Sequence, residues 1–279
     1  MVDSLVDLSK NTKLRLSGAD RLRYLNGQVT NDVAKATADK AVAACITTAK
    51  GKMNAFIFIT QSPETDAFLI ETLPELRESL AMRLDRYIIA DDCELTDVSD
   101  DFDLVHLIGD TPPAVGHAVR NDDRFGLPGY DVWLAPGTEK PPGHILSEEE
   151  IIALCVKNQI PRWGTELTED TLPAEAHLDK YAIDFHKGCY IGQEVISRIK
   201  SVGRVNRVLV SMRANAPLSE GMALHSTDGK EIGKITTASG NQAIGYVKRD
   251  FSDSGTQLSA RNLEKELSTD CEIIQTPKA

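Results

Sequence analysis

The residues best suited to chemistry lie together in residues 187–194, which read Lys-Gly-Cys-Tyr-Ile-Gly-Gln-Glu. The apolar spacing that follows predicts a helix over residues 193–200, so Cys189 comes just before a helix N-terminus, where free amide groups favour negative charge. If the preceding residues are extended, the Lys187 ammonium lies on the same side as the thiol, and both effects lower the pKa of Cys189. The alternative is a buried structural cysteine beside a solvated lysine. The candidate thiol motif comprises Lys187, Gly188, Cys189, Tyr190, Gly192, Gln193 and Glu194.

The remaining cysteines and the histidines lack the spacing of a metal site. The five cysteines are scattered, none forms a Cys-x-x-Cys pair, and the six histidines include no His-Glu-x-x-His motif. We therefore expect no bound metal and no chain-borne iron–sulfur cluster. Reduced thiols in a reducing compartment fit this cysteine usage. Cys155 lies four residues after Ile151 on one face of a predicted helix, which indicates a small core residue.

Charge and hydropathy argue against two classes of partner. The formal net charge is −11, whereas proteins that grip nucleic acid through phosphates carry a basic face. A local basic pocket for a small anion remains compatible with this balance. No apolar run approaches the roughly 20 residues of a membrane-spanning helix. The first residues also lack a basic stretch followed by an apolar one, so we expect no signal peptide and a cytoplasmic protein.

The elements that must position the motif change character along the chain. Leu76, Leu80 and Leu84 recur every four residues and predict one apolar helix face, with β-prone runs before it. Ser17 and Asp20 resemble a capping box that opens a helix over residues 21–26. After about residue 203 the chain consists of short β-prone runs, the last at 271–276, with a hairpin signal at residues 228–229. We predict an α+β region over residues 1–202 and a small antiparallel β-barrel or sandwich over residues 203–279.

Four sequence blocks in this order carry a family resemblance. The segment Lys-Gly-Cys-Tyr-x-Gly-Gln-Glu at 187–194 matches the signature of the YgfZ family at all eight positions. Upstream, residues 160–166, 172–175 and 178–179 are similar to the stretch that precedes that signature. Residues 16–20 with 27–33 resemble its N-terminal motif, and residues 49–53 its intervening motif. The likeness covers most of residues 14–250.

The resemblance implies a fold and a ligand. The family shares its fold with the T-protein, the aminomethyltransferase of glycine cleavage, in which three small domains surround a central folate site. By this likeness residues 1–202 form two subdomains that are interwoven in sequence, and residues 203–279 form a β-barrel. By this likeness Glu175 holds the pterin ring of tetrahydrofolate or a derivative, and a carboxylate is suited to accept its two N–H groups. The alternative is a helix-capping or ion-paired glutamate. Arg204 and Arg198 are further folate-binding candidates, with Lys50 and Lys52 weaker ones.

One departure from the T-protein bears on the reaction. Asn54 stands where the T-protein carries its catalytic aspartate, and an amide cannot act as a general base near neutral pH. The resemblance then implies an accessory protein for iron–sulfur cluster assembly or repair, whose client enzymes include those that modify tRNA, without direct contact to nucleic acid. A folate-dependent one-carbon transferase and a non-catalytic docking module are the alternatives. Cys189 is open to three roles: a transient cluster ligand, thiol exchange, or contact with the folate.

Overall fold

The structure is a computed structural model that describes residues 4–201, 203–262 and 267–274. The chain divides into two compact units, one formed by Met1–Leu146 and Asp179–Ser197, the other by Ser147–Leu178 and Arg198–Ala279. We predicted a boundary at residue 203, with two interwoven subdomains before it. In the structure, the segment Ser147–Leu178 groups with the C-terminal strands.

The described part of the first unit contains two largely antiparallel sheets, two complete α-helices and the first part of a third. Its strands are β1 (Ser4–Asp7), β2 (Thr12–Ser17), β3 (Val42–Thr47), β4 (Met53–Gln61), β5 (Ala67–Thr72), β6 (Glu94–Asp97), β7 (Asp103–Ile108), β8 (His117–Arg120), β9 (Gly129–Leu134) and β10 (His144–Ile145). The helices are α1 (Arg21–Gln28) and α2 (Arg77–Asp85). One sheet has the order β3-β4-β5-β2-β6, and the other has the order β10-β1-β7-β9-β8, in which only the β1–β10 pair is parallel.

The predicted elements of this unit are found, with one correction. The three β-prone runs correspond to β3, β4 and β5, and Leu80 and Leu84 are buried on α2 as their spacing predicts. Every residue of β3 and β5 is buried, which explains why these strands read as continuous apolar runs. The predicted capping box is wrong, because the Asp20 side chain makes no capping hydrogen bond to α1. Its carboxylate accepts from the backbone N–H of Asp92 at 2.9 Å instead.

A buried ionic network connects the two sheets of the first unit. Arg124 donates to Glu71 of β5 at 2.7 Å and to both carboxylate oxygens of Asp131 of β9, at 2.8 and 2.9 Å. His106 of β7 hydrogen-bonds the same aspartate at 2.8 Å. The Arg124 guanidinium also lies 4.0 Å from the ring centroid of Phe58. These ions are paired and hydrogen-bonded, as charges removed from water must be.

The second unit contains the closed barrel. Its elements are α3 (Glu148–Asn158), the last part of α4 (Gln193–Ser201), β11 (Arg207–Ala214), β12 (Ala223–His225), β13 (Glu231–Ser239), β14 (Gln242–Lys248), β15 (Gln257–Asn262) and β16 (Leu267–Ile274). The barrel order is β11-β14-β13-β12-β15-β16. Gly229, with a φ of +83°, turns the β12–β13 hairpin where the sequence predicts it. Of the predicted last strand, residues 275 and 276 lie outside the described residues.

The segment 147–178 belongs with this unit because it packs on the barrel strands. α3 contacts β13 and β14, and the 3₁₀ turn Pro173–Ala176 contacts β11. Ser147 caps α3 by accepting from the Glu150 N–H, which fixes where the helix starts. Leu172 and Ala174 pack against the apolar interior of the barrel. The barrel therefore positions Glu175, which lies on this turn.

Candidate functional site

Lys187 fixes the loop that carries the thiol motif. Its Nζ donates to the backbone oxygens of Asn26 at 2.7 Å, Val29 at 2.8 Å and Asn31 at 2.7 Å. These carbonyls lie at the end of α1 and in the turn that follows it. Three acceptors match the three N–H bonds of an ammonium group. The loop is therefore held to a segment about 160 residues earlier in the chain.

These contacts correct the predicted pairing of Lys187 with the Cys189 thiol. All three N–H bonds of the ammonium are used by carbonyl oxygens, so none is left for the sulfur. Burial lowers the pKa of Lys187 to about 8, with Asp32 opposing it, and the side chain stays mainly charged near neutral pH. Its Nζ also lies 5.3 Å from the ring centroid of Tyr190. Lys187 acts as a clamp on the loop.

The second motif glycine allows the loop to approach β3 closely. Gly192 has a φ of +91°, and a Cβ there would lie 2.6 Å from both Thr47 Oγ1 and the Thr48 carbonyl oxygen. Thr47 Oγ1 donates to the Ile191 carbonyl at 2.6 Å. A Cβ at Gly188, by contrast, would meet no atom within 4 Å. Gly192 is required by packing, whereas Gly188 lies in open space.

Cys189 is the exposed thiol among the five cysteines. Cys45, Cys155 and Cys271 are buried and Cys93 is partly exposed, which confirms the prediction that Cys155 belongs to the core. Burial raises the pKa of Cys45 and Cys155 to about 12 and that of Cys271 to about 11, which keeps these thiols protonated. The alternative of a buried structural cysteine at 189 is excluded by its exposure.

The rest of the motif is divided between a core and a helix start. Tyr190 is buried with Ile183 and Ile196, its hydroxyl has no partner among the described residues, and burial raises its pKa to about 12. The predicted helix is α4, which begins at Gln193. Gln193 is half-buried and Glu194 is exposed in the first turn. Cys189 thus lies four residues before the first helical residue.

Glu175 lies in the second unit, where it forms both a capping hydrogen bond and an ion pair. These are the contacts of a structural glutamate, the alternative to folate binding. Its Oε2 accepts from Arg207 Nε and Nη2, each at 3.1 Å, and from the Leu172 N–H at 3.3 Å. The Arg207 guanidinium in turn lies 4.6 Å from the ring centroid of Tyr246. The carboxylate is buried, at 7% exposure. Within the described residues Oε1 accepts no hydrogen bond, so one carboxylate oxygen stays open to a donor.

The other side chains predicted to bind folate, all cationic, are exposed or half-buried. Arg198 and Arg204 are exposed, and within the described part of the chain neither forms an ion pair. Lys50 is exposed and Lys52 is half-buried. The structure thus brings Lys187, Tyr190 and Gly192 together in the first unit. In the second unit Glu175 pairs with Arg207, a residue that was not predicted.

Comparisons with known proteins identify relatives along most of the chain. A protein named tRNA-modifying protein YgfZ from Sodalis glossinidius is 26% identical over 239 residues, covering 76% of this chain and 72% of its own. An iron–sulfur cluster assembly factor IBA57 homologue from Pyricularia oryzae is 30% identical over 214 residues, with 72% and 54% covered. A chloroplast protein of Arabidopsis thaliana, named as a transferase, is 24% identical over 310 residues, with 91% and 67% covered. Residues 206–270 match the model of the CAF17 C-terminal beta-barrel domain.

These relatives, the barrel model and the signature segment support a YgfZ-family identity for this chain. The fold agrees with this assignment: the glycine cleavage system aminomethyltransferase T from Bartonella henselae superposes with a TM-score of 0.83, covering 99% of this chain and 86% of its own, at 15% identity. The predicted α+β, T-protein-like fold with a C-terminal β-barrel is confirmed. The segment that resembles the YgfZ signature is the thiol motif described above.

Two residues near Glu175 were not among the predicted site residues. Glu166 is 1% exposed and accepts from Thr237 Oγ1 at 2.6 Å and from the Arg162 N–H at 3.0 Å. Arg207, the partner of Glu175, follows the predicted Arg204 by three residues. Its place at the first position of β11, beside the turn that carries Glu175, is the signal that marks it.

Three further observations concern the predicted aminomethyl transfer, metal binding and membrane insertion. Asn54, which stands at the position where the resemblance predicts a catalytic aspartate, is half-buried at the start of β4. No cluster of three metal-ligating side chains is found among the residues that the structure describes. Over the same residues, no helix combines the length and the apolar character of a membrane span.

Proposed function

We propose that this chain binds tetrahydrofolate or a derivative and supports the assembly or repair of iron–sulfur clusters. Through client enzymes it then supports tRNA modification. The names of the YgfZ and IBA57 relatives support the cluster and tRNA parts of the proposal. The T-protein-like fold supports the folate part. Direct contact with tRNA is no part of it, because the net charge is −11.

The observation that carries the proposal is an exposed thiol on a fixed loop. Cys189 is exposed, while Lys187 and Gly192 tie the residues on both sides of it to the first unit. A single cysteine cannot hold a cluster, which typically takes four ligands. Cys189 therefore acts together with a second molecule, as a transient ligand, as a thiol-exchange partner or in contact with the folate.

Glu175 has the chemistry that a reduced pterin requires. The ring presents adjacent N–H groups, and a buried carboxylate binds such donors strongly because little water competes. Oε2 is held by Arg207 and Leu172, which fixes the orientation of the carboxylate, and Oε1 is open to a donor. The Arg207 guanidinium, half-exposed, supplies a cation for an anionic part of the ligand.

Calorimetry with tetrahydrofolate tests the folate part. We expect wild type to bind and Glu175→Gln to bind at least about tenfold more weakly, since a charge-assisted hydrogen bond is lost. Glu220→Gln, at an exposed glutamate of the same unit, is the matched control and keeps wild-type affinity. Absence of binding by wild type would favour the docking module, and equal binding by both variants would remove Glu175 from the site.

A folate-dependent transferase is the second candidate, favoured by the name of the Arabidopsis relative. Asn54 argues against it, because an amide does not accept a proton near neutral pH. Formation of methylene-tetrahydrofolate from an aminomethyl donor would establish it. We expect none from wild type. The cytoplasm stays our predicted compartment, which cell fractionation tests.

A further inference from the structure

The ion pair between Glu175 and Arg207 occupies only one of the two carboxylate oxygens. Arginine and carboxylate groups frequently pair through two parallel hydrogen bonds, one to each oxygen. Here Arg207 Nε and Nη2 both lie 3.1 Å from Oε2, and the Leu172 N–H donates to the same oxygen at 3.3 Å. Among the residues that the structure describes, no group donates to Oε1. The carboxylate therefore has one fully used oxygen and one free oxygen.

Arg207 also keeps free donors beside that free oxygen. A guanidinium group has five N–H bonds. Over the described part of the chain the hydrogen bonds of Arg207 go to Glu175 through Nε and Nη2, so Nη1 has no acceptor there. The Arg207 side chain is 42% exposed, which lets a ligand reach it. The pair thus offers one acceptor, Oε1, next to one donor group.

The guanidinium of Arg207 is fixed in place by a neighbouring ring. Its central carbon lies 4.6 Å from the ring centroid of Tyr246, which is buried. The Tyr246 hydroxyl donates to the backbone carbonyl of Glu166 at 2.9 Å, and this bond fixes the ring. Arg207 itself begins β11, where it pairs with Lys248 of β14. Since the ring and the carboxylate both hold the guanidinium, its free N–H bonds keep one direction, as selective recognition requires.

A donor beside an acceptor matches one edge of a 4-oxo pterin. On that edge a ring N–H lies next to the carbonyl group, so the N–H faces a carboxylate oxygen while the carbonyl faces a guanidinium. A 4-amino ring presents the opposite order, a ring nitrogen without hydrogen next to an amino group. Its amino N–H would then face the guanidinium N–H, and both would stay without an acceptor. A site built to hydrogen-bond one group rejects the analogue that lacks it.

We propose that Glu175 and Arg207 bind the carbonyl edge of a reduced pterin as a pair, and that Arg207 thereby selects 4-oxo over 4-amino rings. This inference rests on the folate binding proposed above and names the part of the folate that the pair recognises. A carboxylate with both oxygens free would accept N–H groups from either kind of ring. The selectivity therefore belongs to Arg207, which uses one oxygen and supplies the donor.

Calorimetry with tetrahydrofolate and its 4-amino analogue tests the proposal, because the two ligands carry the same glutamyl tail. We expect wild type to bind tetrahydrofolate at least about tenfold more tightly than the analogue. Arg207→Met should bind the two within about twofold of each other. Arg207→Lys should keep part of the preference, since an ammonium also donates but lacks the planar fork. Arg213→Met, at an exposed arginine of the same strand, is the matched control with the wild-type ratio.

Two outcomes would overturn the selectivity assigned to Arg207 and leave folate binding intact. One is equal binding of both ligands by wild type. The other is an Arg207→Met variant that weakens both ligands by the same factor, since Arg207 would then meet the shared tail. Wild type that binds neither ligand would overturn folate binding itself, and the selectivity with it. Unchanged melting temperatures of the variants show that each ratio concerns the site rather than folding.

Discussion

At the scale of single residues, the two glycines of the signature segment have different roles. Gly192 is required where it stands, since its φ is positive and a Cβ would overlap β3 backbone and side-chain atoms. Gly188 has no such neighbours. The sequence shows two equivalent glycines in one motif, and only the packing separates them.

We predict that Gly192→Ala destabilises the protein by about 2 kcal/mol, because the backbone or Thr47 must shift to admit the methyl group. Gly188→Ala, in the same motif, is the control and should stay within about 0.5 kcal/mol of wild type. Urea unfolding followed by circular dichroism measures both. Equal stabilities for the two variants would contradict the packing assigned to Gly192.

The five cysteines give a second prediction at this scale. Under native conditions iodoacetamide should modify Cys189 first, because only an accessible thiolate reacts and three of the other thiols are buried with raised pKa values. Mass spectrometry of the early time points should find one adduct. Cys189→Ser should lose this fast phase, whereas Cys155→Ser should keep it. A fast phase that survives in Cys189→Ser would place the reactive thiol elsewhere.

At the scale of elements, one side chain joins a loop to a helix end. The Lys187 ammonium binds three carbonyl oxygens of the α1 end and the following turn, and so holds the Cys189 loop against the first unit. The sequence predicts that Lys187 lies beside a reactive Cys189. In the structure the Lys187 ammonium instead donates its hydrogen bonds to backbone carbonyl oxygens. Its neighbours in space come from residues 26–31, which no local pattern connects with residue 187.

Replacing Lys187 by methionine should therefore leave three carbonyl groups without their donor. We expect a loss of about 2–4 kcal/mol in the free energy of unfolding, because unpaired buried polar groups are costly. Lys50→Met, at an exposed lysine of the same unit, is the control with little change. Denaturant unfolding with unchanged m-values measures this difference. A Lys187→Met variant as stable as Lys50→Met would show that the clamp contributes nothing.

At the scale of the whole molecule, the buried network of the first unit makes stability depend on pH. Burial raises the pKa of Asp131, but Arg124 and the His106 hydrogen bond outweigh it and hold this pKa well below its ordinary value. Burial lowers the pKa of His106. In both cases the folded state binds fewer protons than the unfolded state, so stability is complete above the unfolded pKa and is lost as pH falls.

We predict a first loss of stability below about pH 6.5, where His106 takes up a proton on unfolding, and a second below about pH 4, from Asp131. Asp131→Asn should cost about 3–5 kcal/mol at pH 7, since Arg124 loses a buried partner, and should remove the second loss. Asp101→Asn, at an exposed carboxylate, should reproduce the wild-type curve. Urea unfolding between pH 3 and 8 follows this dependence, and identical curves for the two variants would contradict it.

The sequence by itself determined the α+β class, the β-rich C-terminal region, the position of α4 and the signature around Cys189. These follow from periodicity, turn residues and motif spacing, which involve residues close together in the sequence and can be recognised without a structure. Only the tertiary structure decided that Lys187 binds three carbonyl oxygens, that Glu175 pairs with Arg207, that Cys189 is exposed, and that residues 147–178 pack with the barrel. Burial and hydrogen-bond partners are set by segments distant along the chain, and a side chain with three N–H bonds binds whichever acceptors the fold brings to it.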